Sequence, residues 1–444
     1  MSFLHDLIVG ITDFFCGYPL FFWLIGGGLF LFVYSGAIPL RRIGSAIRAL
    51  RVRNSGEGQI SSFQALMSAI SATVGMGNIA GVAIALVVGG PGAIFWMWVS
   101  ALVGMATKFF EGTLAIMYKG RNREGEVKGG PMYVITEGLG PRFKPLAIMF
   151  ACVGLVGCLC LLQANQLVEA IVTIFIPQQT LMPELGMKFI CGIVLTGLVT
   201  LVVLGGLTRI ANVATKMVPA MVSMYFLLVL FIIVTNLGEV PRVFGQIISG
   251  AFSLKAGLGG LAGVAVTGAR RAMYVNEAGV GTAMLMHGAS GNKVPVREGF
   301  VAMLCPAIDS GLVCTLTAIP IIMADCYHVE GVQGLTVALG AFDTLIPYVG
   351  KYFLMAMVAV FAFSTMFSYS YYGRACAEYL WGKDKAGYYD IFYLLSLLVA
   401  SVITLDVAVS ILDLCFALMS VPTMFAVLRL SPRVIKEFRN YENK

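Results

Sequence analysis

The chain has 444 residues, 59% of them hydrophobic and only 12% charged, against about 45–50% and about 25% in an average soluble domain, so most of it cannot face water. The net charge of +7 does not mark a nucleic-acid binder, because the basic residues lie almost entirely between apolar runs. Ten scattered cysteines and the distant His5, His287 and His328 lack the spacing of a disulfide framework, a zinc site or a catalytic set.

Runs such as IVLTGLVTLVVLGGL approach the ~20 apolar residues that a helix needs to cross the hydrocarbon, and the alternation of a membrane barrel is missing. Eleven helical spans are expected, at about 18–38, 62–88, 92–118, 146–176, 187–206, 212–236, 257–290, 299–323, 351–373, 388–405 and 407–428. The first forty residues contain no Lys or Arg, so the first span lacks the basic start of a secretory signal and is expected to stay in the protein. Arg41, Arg42, Arg48, Arg51 and Arg53 follow it. Placing that loop in the cytoplasm leaves only Lys188, Arg242, Lys255 and Lys351 outside, and Lys108, Arg270 and Arg271 within spans. The positive-inside bias therefore puts the N-terminus outside and the C-terminus inside a cell (plasma) membrane.

Two spans are poor helices on propensity grounds, because SATVGMGNIAGVAIA (71–85) and MYVNEAGVGTAML (273–285) carry mid-span glycines, each costing up to ~1 kcal/mol relative to Ala. NIAGVAIA from Asn78 and NEAGVGTA from Asn276 share five of eight residues at an offset of 198, and the same offset sets Glu111 opposite Asp309. Each copy holds five spans, an odd number, so the second enters the membrane from the opposite side. The expected organisation is an extra N-terminal helix with a basic loop (1–60), a first five-helix repeat (61–240), a second, inverted repeat (241–430) and a cytoplasmic tail (431–444).

Inverted repeats with interrupted helices bind substrate and ions where the backbone is unwound near the midplane. Amides freed at Gly75, Met76, Gly77 and Asn78, with the positive end of the next half-helix, can hold a carboxylate. Exposed carbonyls at the break can hold a cation or an ammonium group. Mid-span glycines also serve close helix packing, but two breaks at matched positions favour the binding reading. A channel would need a continuous pore, and an enzyme would need a convergent acid, base, nucleophile or metal set. The sequence offers neither, and no cofactor is expected.

GGPGAIFWMWVSALVG (89–104), with GMGNIAGVA (75–83), ATKFFEGTLA (106–115), GGPMYVI (129–135) and NEAGVGTA (276–283) in the same order, resembles the alanine or glycine:cation symporters, a family with a LeuT-like fold in the amino acid–polyamine–cation superfamily. The resemblance covers nearly the whole chain. It implies symport of alanine, glycine or a related small neutral amino acid with sodium by alternating access, in a protein that works as a monomer within the lipid bilayer.

By the same resemblance, Gly75, Met76, Gly77 and Asn78 are expected to contact substrate, with Tyr274 and Asn276 at the second break. Ser71 and Val74 would offer carbonyls to sodium. Ser364, Thr365 and Ser368, in AFSTMFSYSYYG, supply hydroxyl oxygens of the kind a hard cation takes, although such hydroxyls also bond their own helix carbonyls. Gln163 and Asn165 match the family's VQAN pattern as further substrate contacts, with a helix–helix hydrogen bond as the competing role. Tyr369 stands where relatives usually have Trp, which leaves room in the pocket and adds a hydroxyl. TAMLMH (282–287) and AMLCPAIDS (302–310) also depart from the family's SAPIAH and GPFIDT.

Ionisable groups inside spans are functional candidates by default. Glu277 falls in the second break, where Arg270 or Arg271 could compensate it as a structural or gating pair. Lys108 and Glu111 are three residues apart and could pair along one helix face. Asp309 is a candidate proton or ion relay, which keeps proton coupling open as the alternative to sodium.

Overall fold

A computed structural model describes residues 17–50, 58–122, 124–175, 184–252, 257–328 and 334–443. His5, Arg51, Arg53 and Lys255 lie outside the described residues. The described chain is helical apart from turns and a ribbon of two short antiparallel strands, Gly120–Arg121 and Val127–Lys128.

In chain order, leaving aside short helices such as Ile38–Arg41 and Ile43–Ala49, the main helices are α1 (Tyr18–Tyr34), α2 (Ser62–Thr73), α3 (Gly77–Gly89), α4 (Gly92–Met117), α5 (Pro141–Phe175), α6 (Glu184–Val203) and α7 (Gly206–Thr235). There follow α8 (Val240–Ala251), α9 (Gly257–Asn276), α10 (Thr282–Gly288), α11 (Pro295–Met323) and α12 (Leu335–Leu345). The last three are α13 (Gly350–Trp381), α14 (Lys383–Ala400) and α15 (Leu405–Glu442). Seven of the described helices are long and apolar enough to cross a membrane, or eight when α2 and α3, bent by 53°, count as one span. The expected run 257–290 is divided: helix stops at Asn276 and restarts at Thr282.

Local chemistry sets these limits. α2 starts at a capping box, in which the Ser61 hydroxyl accepts from the Gln64 amide at 3.1 Å and the Gln64 side chain accepts from the Ser61 amide at 2.9 Å. α11 opens on Pro295, whose missing N–H costs nothing in a first turn.

Burial sorts the helices into an inner set and an outer rim. The apolar windows of α4, α11 and α13 are each 72% buried, whereas those of α6 and α7 are 22% and 28% buried. Leu201, Leu204, Leu227 and Phe231 of the rim stand exposed, which suits lipid rather than water as their solvent. α4 packs on α1, α8, α9, α10 and α11, and α13 packs on α2, α5, α7, α12 and α14. Both interrupted helices run between these two inner helices.

Candidate functional site

The first break is a short loop closed by its own asparagine. Val74 leaves helical geometry (φ −77°, ψ 91°), which would orphan the Gly75 amide, but Asn78 Oδ1 accepts it at 2.9 Å while the Asn78 amide donates to the Gly75 carbonyl at 3.1 Å. This is the physical content of the GMGN spacing. Asn78 Nδ2 also donates to the Asp309 carbonyl at 3.2 Å, fixing the loop to α11. Gly75 is required by space: a Cβ there would stand 2.3 Å from Thr365 Oγ1 and 3.3 Å from Thr365 Cβ. A Cβ at Gly77 would meet the Tyr274 ring at 3.3 Å. Met76 and Val74 are fully buried.

An oxygen cluster joins α2 to α13 immediately before this loop. Ser71 Oγ donates to the Ser364 carbonyl at 2.8 Å, and Ser364 Oγ lies 3.3 Å from the Ser71 carbonyl and 2.9 Å from that of Phe361. Thr365 donates to the Phe361 carbonyl at 3.0 Å, so its lone pairs are free to face Gly75. Ser368 Oγ is buried with no hydrogen-bond partner. Ser71, Ser364 and Thr365, expected from sequence around one ion, are thus brought together.

The second break is built differently. Glu277 adopts φ +52°, and Gly279 and Gly281 have φ of +88° and +99°. The left-handed geometry is strained for a glutamate, by about 1–3 kcal/mol, a kind of strain that clusters at functional sites. The freed backbone groups are captured from three directions. Asn276 Oδ1 accepts the Ala278 amide at 3.0 Å, Glu111 Oε1 of α4 accepts the Gly279 amide at 3.0 Å, and Thr423 of α15 donates to the Val280 carbonyl at 3.0 Å. The Glu277 carboxylate accepts from the hydroxyls of Tyr369 and Thr282, one on each oxygen. Lys108 Nζ lies 3.9 Å from Glu111 Oε2, the pairing expected from their spacing.

Other expected residues divide. Gln163 is buried with its Oε1 unpartnered, an open acceptor. Asn165 instead spends its amide on the carbonyls of Ala400 (3.3 Å) and Ile403 (2.7 Å), a helix-to-helix tie. Tyr274 tilts against Phe416 with ring centres 5.6 Å apart. Asn276 Nδ2 is buried without a partner, Arg271 is half-buried one turn before Tyr274, and Asp309 sits in a π turn of α11, Ala307–Val313. Arg270, considered above as a counter-charge for Glu277, pairs with Asp413 of α15 at 2.8 Å.

A buried carboxylate that the sequence did not single out lies at the start of α11. Glu298 accepts from Ser62 (2.5 Å), Ser290 (3.0 Å) and Asn292 (3.1 Å) and lies 2.7 Å from His287 Nδ1. Chain segments meet beside it: the Gln59 amide donates to the Ala289 carbonyl and the Gly291 amide to the Ile60 carbonyl, each at 2.9 Å. Glu298 falls one residue before an expected span and reads as a loop charge, so no signal in one sequence marks it.

Two unwound, buried helix breaks held between inner helices, inside a rim of lipid-type apolar surface, define a helical membrane transporter. The backbone matches that of MhsT in complex with L-phenylalanine, with a TM-score of 0.58 over 86% of this chain and 98% of that one, at 14% identity. The chain belongs to the sodium:alanine symporter family, whose profile matches residues 1–444. It is 35% identical to the sodium/alanine symporter AgcS of Methanococcus maripaludis over 98% of this chain and 97% of the relative. It is 29% identical to the probable sodium/glutamine symporter GlnT of Bacillus subtilis, over 98% and 90% of the two chains.

Proposed function

We propose that this protein carries a small neutral amino acid, alanine or glycine, into the cell together with sodium. The observation that carries the reading is the oxygen cluster of Ser71, Ser364 and Thr365 set against the Gly75 break: hydroxyls and carbonyls from two helices that a hard cation can take over from one another. The Val74 and Ser368 oxygens extend that set. The substrate carboxylate binds at the Gly75–Asn78 loop, whose amides precede the half-helix α3. Gln163 Oε1, an acceptor without a donor, takes the ammonium group. The Tyr369 hydroxyl is held on Glu277 at the second break.

In this reading the eleven spans form one extra helix plus a 5+5 inverted repeat, with the N-terminus outside, the C-terminus in the cytoplasm and the monomer as working unit. The first break is the part that moves in alternating access. The test is uptake of labelled alanine and glycine into proteoliposomes, with sodium replaced by choline at fixed pH and with glutamine and serine as unlabelled competitors. Sodium-dependent accumulation that alanine and glycine displace best is expected. Uptake undiminished in choline defeats the coupling, and accumulation displaced only by glutamine defeats the substrate.

A further inference from the structure

The buried acids of the described residues are not compensated alike. Glu111 has Lys108, Asp413 has Arg270, Asp390 has Arg374 and Glu298 has His287, while Glu277 has a hydroxyl on each oxygen. Asp309 has no cation paired with it, and the hydroxyls beside it are those of Thr73 and Ser310. Its carboxylate accepts the Ser310 amide next to it and lies 3.6 Å from the Cys305 thiol, although it is fully buried. Leaving a lone carboxylate charge in such a place costs several kcal/mol, and a group so placed neutralises instead.

Its surroundings suit a proton better than a metal ion. The Ser310 and Thr73 hydroxyls are both buried beside the carboxylate, and Thr73, from the end of α2, also lies 3.4 Å from Cys305 Sγ. Two hydroxyls and a soft sulfur are too few and too mixed a set for a hard cation, which takes about six oxygens. The ionisable groups facing it are Lys108 of α4, whose charge is shared with Glu111, and Cys305 and Cys314 of α11 itself. The first break faces it with Thr73 and Asn78, neither ionisable. Asn78 Nδ2 holds the Asp309 carbonyl, so a change of charge at this residue bears directly on the loop that binds substrate.

We infer that Asp309 is a proton-binding site, distinct from the sodium oxygens, that is neutral when the first break is closed and exchanges its proton during the transport cycle. The inference rests on the transport reading above, so one of its two tests needs no substrate. Infrared difference spectra of the reconstituted protein at pH 7 should show a protonated carboxyl band that Asp309→Asn removes. Ser310→Ala and Thr73→Val, which keep the acid, should shift that band and serve if the asparagine variant does not fold. No such band in the native protein, a band untouched by all three variants, or a carboxylate band that moves with sodium would each overturn the proposal. In uptake at a fixed sodium gradient, raising external pH should slow the native protein, because the cycle then begins with less of the protonated acid. Asp309→Asn should flatten that slope and Asp309→Glu restore it; an unchanged slope in Asp309→Asn overturns the proposal.

Discussion

Both breaks contain an asparagine from which five of eight residues are shared, yet they are held in opposite ways. At the first, the chain satisfies itself: Asn78 closes the loop on Gly75, and the nearest foreign groups are neutral oxygens of α13. At the second, acids do the holding, with Glu111 on the Gly279 amide and Glu277 strung between Tyr369 and Thr282. A loop closed by neutral groups can exchange one oxygen partner for another at small cost. A loop closed by buried carboxylates is committed, because each unpaired donor or charge is expensive there. That difference supports the proposed placing of ligands at the first break, with the second as an anchored joint.

That contrast can be broken most severely at Gly75. Gly75→Leu puts bulk where Thr365 Oγ1 already stands 2.3 Å from a bare Cβ position; about 3 kcal/mol of overpacking corresponds to a fall in uptake on the order of 100-fold. Membrane insertion and helix content by circular dichroism should be retained. Near-native transport would show that the first break is not the pocket. At the second break, Glu277→Ala strands the Tyr369 and Thr282 hydroxyls and should cost about 2–3 kcal/mol, read as a lower melting temperature in detergent. An unchanged melting temperature would remove the idea of a committed joint.

Ser364→Ala deletes one oxygen and one tie to Ser71. The sodium concentration for half-maximal uptake should rise roughly fivefold, about 1 kcal/mol, with the alanine requirement changing less. An equal rise in both would detach Ser364 from the ion. The smallest effect is expected far from either break, where the Lys383 ammonium lies 2.5 Å from Glu126 and holds its carboxyl below the usual carboxylate range. A depressed carboxylate adds stability above its ordinary range that is lost as pH falls through its lowered one. Glu126 lies half-exposed at the surface, so Glu126→Gln should leave the melting temperature at pH 7 nearly unchanged and any difference should vanish in high salt.

Much of this was legible from periodicity and spacing. Span length, the glycine clusters at 75–77 and 279–281 and the i,i+3 pairing of Lys108 with Glu111 are local properties, and local properties can be read from one chain. The joining of Ser71 to Ser364 came into view only through resemblance, since 293 residues separate them. What the sequence hid is partner choice. Arg270, with Arg271 a neighbour of Glu277 in sequence, turns to Asp413, 143 residues away. Of the two roles open to Asn165 the structure takes the helix tie, to carbonyls at and just past the end of α14, and Glu298 drew no notice because its donors come from segments as distant as Ser62. Tertiary contact decides each of these, and no residue spacing encodes it.

The cluster around Glu298 has a mechanical meaning. Ser62 begins the first interrupted helix, while His287, Ser290 and Asn292 end and follow the second, and all four converge on one carboxylate with a strand-like seam from Gln59 to Gly291 beside it. Separating those two helix ends strips the acid of donors from both sides at once, in a buried setting where none can be lost cheaply. That end of the bundle behaves as a clasp with a single catch: it is shut or sprung, with little to hold it half-way.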